Sequence, residues 1–235
     1  MGGVRVGELA GLVWRDDCLA CGRVEVPRAV EGLSLCRDCA GDLRRVPSRV
    51  PGPGSLPVFA AGMYGGAHRG VVLAAKEQHR PEAVRVAGAV VAGVLRHLVT
   101  GGTLPDPRLA PLVLLPAPTT RRAAKDRGGC IVARAAQVAR DEFGDGVHVV
   151  AAATMAPGAR DSVGLGRGER SANIAANLRV DAVALQRAVR VLRSAGAAAC
   201  IVDDVSTTGA TLSGYSAALA ARGVVVDAGV VIAQA

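Results

Sequence analysis

Residues 200–212, CIVDDVSTTGATL, constrain the fold more than any other stretch of the chain. A short apolar run, Cys200 to Val202, reads as a buried strand and is followed at once by Asp203 and Asp204. Small residues, Val205 to Thr208, then lead through Gly209 into a helix that starts near Ala210. A strand that turns into a helix through small residues leaves backbone N–H groups pointing outward, with the helix dipole behind them. That arrangement cradles an anion. Ser206, Thr207, Thr208 and Thr211 add hydroxyl donors. An ordinary strand–turn–helix with an aspartate cap is the plain alternative, but two adjacent carboxylates closing a buried strand are costly for structure alone. They would also repel a phosphate directly. A sugar phosphate satisfies both halves: its phosphate on the loop, its diol or an accompanying Mg2+ on the carboxylates.

The rest of the chain supplies a frame for such a turn. Apolar runs at 58–64, 112–115, 147–151, 198–203 and 224–232 are expected as strands. Segments 67–78, 82–99, 124–142, 169–176 and 210–222 are expected as helices. Short apolar strands alternating with helices predict an α/β fold, a parallel sheet flanked by helices. Ligands of such sheets sit at the carboxyl ends of the strands. Aromatic residues make up only 2% of the chain, so the core must be built from Ala, Val and Leu. Tyr215 and Phe143 are expected in that core.

The N-terminal part has another texture. Cys18 and Cys21 form one C-x2-C pair, Cys36 and Cys39 a second, with fourteen residues between the pairs. Each pair closes a knuckle that aims two thiolates at one ion, and two knuckles complete the tetrahedron that Zn2+ accepts. Four protein ligands leave no open position, so the expected role is structural; an iron–sulfur cluster and a redox pair are the rival readings of the same spacing. Arg23 and Arg37 are placed to offset the surplus negative charge. Cys130 and Cys200 stand alone and are expected as small buried residues. Residues 46–57, with four prolines and two glycines, read as a linker. The expected organisation is a four-cysteine zinc module over 1–45, the linker over 46–57 and the main domain over 58–235.

The formal net charge is +8, which favours anionic partners. Of 28 basic residues only Lys76 and Lys125 are lysines, so each marks a place where a compact point charge is wanted. Lys76 closes the helix that follows Tyr64-Gly65-Gly66. Arg121, Arg122, Lys125 and Arg127 follow the 112–115 strand, at its carboxyl end, where they can meet diphosphate oxygens or a nucleic-acid backbone. Residues 158–170, GARDSVGLGRGER, read as a loop. The segment Met1–Asp17 lacks the pattern of a signal peptide and no charge-free run reaches eighteen residues, so a cytoplasmic chain without membrane insertion is expected.

Asp203 to Thr211, DDVSTTGAT, resembles the phosphoribosyl diphosphate (PRPP) signature of the type I phosphoribosyltransferases. The resemblance implies that Asp203 and Asp204 bind the ribose hydroxyls, with Mg2+ accompanying PRPP. It implies that Ser206, Thr207, Thr208, Gly209, Ala210 and Thr211 hold the 5′-phosphate, and that Ala75 and Lys76 meet the diphosphate. Adding the cysteine pairs, Tyr64-Gly65-Gly66, the Pro116-Ala117-Pro118 strand end and the 164–173 block GLGRGERSAN, nearly the whole chain is similar to the competence protein F (ComF) family. That family joins a four-cysteine zinc finger to a phosphoribosyltransferase domain. The chain departs from it at Arg127-Gly128-Gly129-Cys130-Ile131, where members commonly carry Arg-Gly-Phe-Asn-Gln, and near Asp161 and Ser162.

Two classes of function stay open. One is a transferase moving phosphoribosyl from PRPP, or acting on another phosphorylated ribose, with an amine or nucleobase as acceptor. The other is a non-catalytic module that binds single-stranded DNA in DNA uptake. Basic residues interleaved with stacking aromatics, the usual mark of single-strand binding, are missing. No catalytic residue, oligomeric state or acceptor is legible.

Overall fold

The computed structural model describes residues 17–24, 26–29, 33–77, 80–120, 124, 129–156 and 167–235. Within them the chain runs α1 (Arg37–Leu43), β1 (Ser48–Val50), β2 (Val58–Met63), α2 (Gly66–Lys76), α3 (Pro81–Thr100), β3 (Leu112–Pro116), α4 (Ile131–Phe143), β4 (Val147–Val149) and β5 (Ala153–Met155). It continues through α5 (Arg167–Asn177), β6 (Leu178–Val180), α6 (Ala182–Leu192), β7 (Ala198–Ser206), α7 (Ala210–Ala220) and β8 (Ala228–Gln234).

Six strands form one sheet in the order β1-β2-β8-β7-β3-β4. All pairs are parallel except β1 with β2. The central strands are apolar at both parities because both faces are covered. In β7, Ala198, Cys200 and Val202 join one core cluster, while Ala199 and Ile201 join the other. In β3, Leu112 and Leu114 face the first cluster, Val113 and Leu115 the second. Helices α2, α3 and α4 cover the first face; α6, α7 and the antiparallel hairpin β5–β6 contribute to the second. Both layers are built from Ala, Val, Leu and Ile, with Tyr215 fully buried among them and Phe143 only partly covered beneath Arg96.

Several boundaries differ from expectation. The 46–57 stretch is not wholly a connection: Ser48–Val50 pairs antiparallel with β2 as the edge strand β1. Its neighbours Pro47 and Pro51 lack ladder donors and fit only such an edge. Helix α4 begins at Ile131, with Cys130 as its cap, rather than at 124. Helix α6 was not anticipated, although its apolar residues gather on one side, with Leu185 and Ala188 buried and Val189 and Leu192 packed beside them. Its start was also written in the chain: the Asp181 carboxylate accepts from the Ala184 N–H at 2.9 Å. Strand β8 begins at Ala228 rather than 224, after Gly223 with φ of 79°.

Among the described residues one helix, Pro81–Thr100, is long and apolar enough to cross a membrane. It is the helix expected over 82–99, and Arg85 and Arg96 interrupt its apolar run. In the fold, 61% of its apolar window is buried, and it packs on α2, α4, β2 and β8 as a core helix.

Candidate functional site

The sheet's connections set where a ligand can enter. From β3 the chain leads outward through α4 to β4; from β7 it turns the other way through α7 to β8. The two paths diverge at the neighbouring strands β3 and β7, and in such sheets ligands bind outside the carboxyl ends of the strands at that point. Asp203 to Ser206 finish β7 there. The β5–β6 hairpin is tied to the same end, since the Met155 N–H donates to the Thr119 carbonyl at 3.0 Å.

Alternation along β7 puts Asp204 on the parity of Cys200 and Val202, the face covered by α2. Lys76, the last residue of α2, accordingly reaches it, with Nζ 2.6 Å from Asp204 Oδ2. A cation at a helix carboxyl terminus is also favoured by the dipole. Asp203 is half-buried and accepts the Asp204 N–H at 2.8 Å. Burial first, then the Asp204 charge, push its carboxyl up to about 7, against the opposing pull of Lys76 and that N–H. A proton on Asp203, or a ligand offering hydroxyl donors or a cation, relieves the crowding.

The loop behind the carboxylates has the form of an anion cradle. Gly209 caps α7 with φ of 72°, a left-handed conformation that favours glycine. The first-turn N–H groups of α7, from Ala210 onward, have no acceptor within the helix. Thr208 Oγ1 lies 3.4 Å from the Ala210 N–H, and Thr207 is exposed. Ser206 is only 4% exposed, and its Oγ has no hydrogen-bond partner among the described residues. A buried hydroxyl without a partner costs about 1–3 kcal/mol, which a bound acceptor or donor removes.

Of the residues expected here, Asp203, Asp204, Ser206 to Thr211 and Lys76 are brought together. Ala75 is turned into the core beneath α2. Arg121, Arg122, Lys125 and Arg127 lie outside the described residues, as do Asp161 and Ser162 and most of the 158–170 loop. Three neighbours were missed. Cys130, capping α4, has its thiol pushed up by burial, and Asp203 and Asp204 are close enough to add to the shift. Gln234, at the end of β8, sends Nε2 to the Thr207 carbonyl at 3.5 Å. Pro53 lies beside Gly209: a β-carbon on Gly209 would stand 3.4 Å from Pro53 Cδ. Extending the 224–232 strand by two residues would have found Gln234; nothing in the sequence flags Pro53.

The four cysteines converge separately. Their sulfurs all lie within 4.8 Å of one another, a donor set compatible with a structural metal such as zinc. Cys36 caps α1, where its sulfur accepts from the Cys39 N–H at 3.5 Å, and its own N–H donates to Cys18 Sγ at 3.4 Å. Arg23 does what its position suggested: Nε lies 3.4 Å from Cys21 Sγ and a terminal nitrogen 3.7 Å from Cys36 Sγ. Burial raises the Cys21 thiol, but the Arg23 contacts, with Cys18 and Cys39, outweigh it and bring the thiol down to about 6. Arg37 is simply exposed at the start of α1.

Comparison with known protein families and with curated proteins finds no match to this chain.

Proposed function

We propose that the chain is a PRPP-binding protein with a type I phosphoribosyltransferase fold. Within that class we read it as a ComF-like protein carrying a structural zinc module. The observation that carries the reading is the β7–α7 turn. Two crowded carboxylates, a buried hydroxyl without a partner among the described residues and a left-handed glycine stand in the order a ribose 5-phosphate needs. In this reading Asp203 and Asp204 accept from the ribose 2′ and 3′ hydroxyls. Ser206, Thr207, Thr208 and Thr211, with the N–H groups at Gly209 and Ala210, surround the 5′-phosphate. Lys76 faces the diphosphate. Mg2+ fits beside the carboxylates and would offset the charge of the departing diphosphate. The protein's own contribution is positioning and electrostatic stabilisation of a cationic sugar by Asp203 and Asp204.

Calorimetry with PRPP and Mg2+ tests the binding, and diphosphate release with a panel of amines and nucleobases tests the transfer. Saturable binding is expected; a wild-type protein that binds no PRPP would overturn the reading. Gly209→Val is expected to weaken PRPP binding at least tenfold while the protein stays folded. A β-branched residue is strained at that φ, and its methyl groups would crowd both Pro53 and the phosphate. Wild-type affinity in this variant would remove the loop from the site.

The second reading, a DNA-binding module, rests on the +8 charge and the basic stretch after β3. Replacing Arg121, Arg122, Lys125 and Arg127 with glutamine separates the two. If DNA is the partner, affinity falls and its dependence on salt flattens, because fewer counterions are released. If the salt slope is unchanged and PRPP binding falls, the segment serves the metabolite.

A further inference from the structure

The cysteine cluster and the carboxylate loop meet on one helix. Gly70, in the middle of α2, lies against the backbone of Ala20, between Cys18 and Cys21. A β-carbon at position 70 would overlap the Ala20 carbonyl, so the first knuckle rests directly on the helix backbone. The carboxyl end of α2 is tied to the same knuckle by a second route. Arg80, whose side chain is 5% exposed, donates from one terminal nitrogen to both carboxylate oxygens of Asp17, each at 3.0 Å. Its other terminal nitrogen reaches the Asp17 carbonyl at 3.3 Å and Glu82 at 2.9 Å. The Arg80 N–H closes back on the Ala74 carbonyl at 3.2 Å. Asp17 is the residue before Cys18, and Lys76 is the last residue of α2.

We propose that Asp17, Gly70 and Arg80 are positioning residues that transmit the placement of the metal knuckle to Lys76. Metal occupancy at the four cysteines and ligand binding at residues 203–211 are then linked. The ligand half of this statement rests on the PRPP reading. The physical basis is the shortness of the path. The knuckle sits on α2 at Gly70 and on its end through Arg80, while Lys76 spans from that end to Asp204. A knuckle that loosens frees α2 to shift along the sheet. A displacement of about 1 Å is enough to lengthen the Lys76–Asp204 contact beyond hydrogen-bond range. Linkage works in both directions, so bound ligand must also tighten metal binding.

The test uses metal-loaded protein and two variants that disturb the path without touching the carboxylate loop. Asp17→Asn removes one of the two carboxylate charges facing Arg80 and leaves that of Glu82; Gly70→Ala pushes the knuckle off α2. The first readout is the titration of the Asp203 carboxyl by carbon-13 NMR. Asp203 is faced by Asp204, Lys76 and Cys130. Withdrawing Lys76 is expected to raise its midpoint in both variants, whereas Arg96→Gln, which breaks the surface pair of α3 with Glu142 of α4, leaves it unchanged. The second readout is PRPP affinity with Mg2+, expected to fall about tenfold in each variant while metal content stays at the wild-type level. Should Gly70→Ala fail to fold, Asp17→Asn decides. An unchanged carboxyl titration in Asp17→Asn overturns the proposal, whether or not PRPP binds. A wild-type protein that binds no PRPP overturns the PRPP reading alone, and the titration still decides the positioning role.

Discussion

Chelating the metal from the four-cysteine cluster is expected to unfold the N-terminal module around α1 while the parallel sheet stays intact. Elemental analysis of the untreated protein should give about one zinc per chain, the content of a single closed tetrahedral site. Among the described residues of the module, the buried apolar side chains besides the cysteines are Leu19, Leu35, Ala40 and Leu43, and α1 spans only seven residues. So small a core supplies a few kcal/mol at most, whereas structural zinc contributes on the order of 10 kcal/mol. Hydrogen exchange before and after chelation is the measurement. Amides of α1 and of the first knuckle should lose protection by orders of magnitude, and those of β3, β7 and β8 should not. Cys36→Ser should behave like chelation, because it removes one of the four sulfur donors while serine keeps the cap of α1. Unchanged protection after complete metal removal would show that packing against α2 alone holds the module. Two disulfides in protein prepared under reducing conditions would remove the metal site altogether.

What could be read from the sequence was whatever a local pattern dictates. β3 and β7 announced themselves because both of their faces are buried, so every residue in the run is apolar. The 203–211 turn was legible for the opposite reason: its carboxylates break the apolar run where burial makes them expensive. The cysteine knuckles needed only spacing. Long-range placement was not legible. That Lys76 pairs with Asp204 depends on β2 lying two strands from β7, with α2 over the intervening face, and no local signal carries that order. The Arg80–Asp17 contact bridges 63 positions and looks in sequence like two unremarkable charges. β1, β5 and β6 were missed; β1 and β6, three residues each, lack the flanking apolar run that marked β4 within 147–151.

Replacing both Asp203 and Asp204 with asparagine is expected to cut PRPP affinity at least tenfold to a hundredfold, without unfolding the protein. Each charge-assisted hydrogen bond lost to the ribose costs about 1.5–3 kcal/mol. Asparagine keeps the shape, and its Oδ1 can still accept the N–H of residue 204. The single Asp203→Asn variant carries a second expectation, in stability. Burial and the Asp204 charge hold the Asp203 carboxyl at about 7, above its ordinary value of 3.8. Between those values the folded protein therefore binds more protons than the unfolded chain. Stability must fall as pH rises through that window, and the penalty is complete once pH exceeds about 7. Asparagine has no such penalty. Asp203→Asn should thus be more resistant to urea than wild type at pH 8, with the advantage shrinking at pH 5, while its PRPP affinity is lower at both. The pairing of opposite effects is informative, because a purely structural carboxylate would lose stability and leave binding alone. Urea midpoints at the two pH values, with calorimetry of PRPP and Mg2+ on the same samples, decide it. Wild-type affinity in the double variant would mean that these carboxylates do not meet the sugar. A stability difference that does not change with pH would mean that Asp203 is not held protonated by its surroundings.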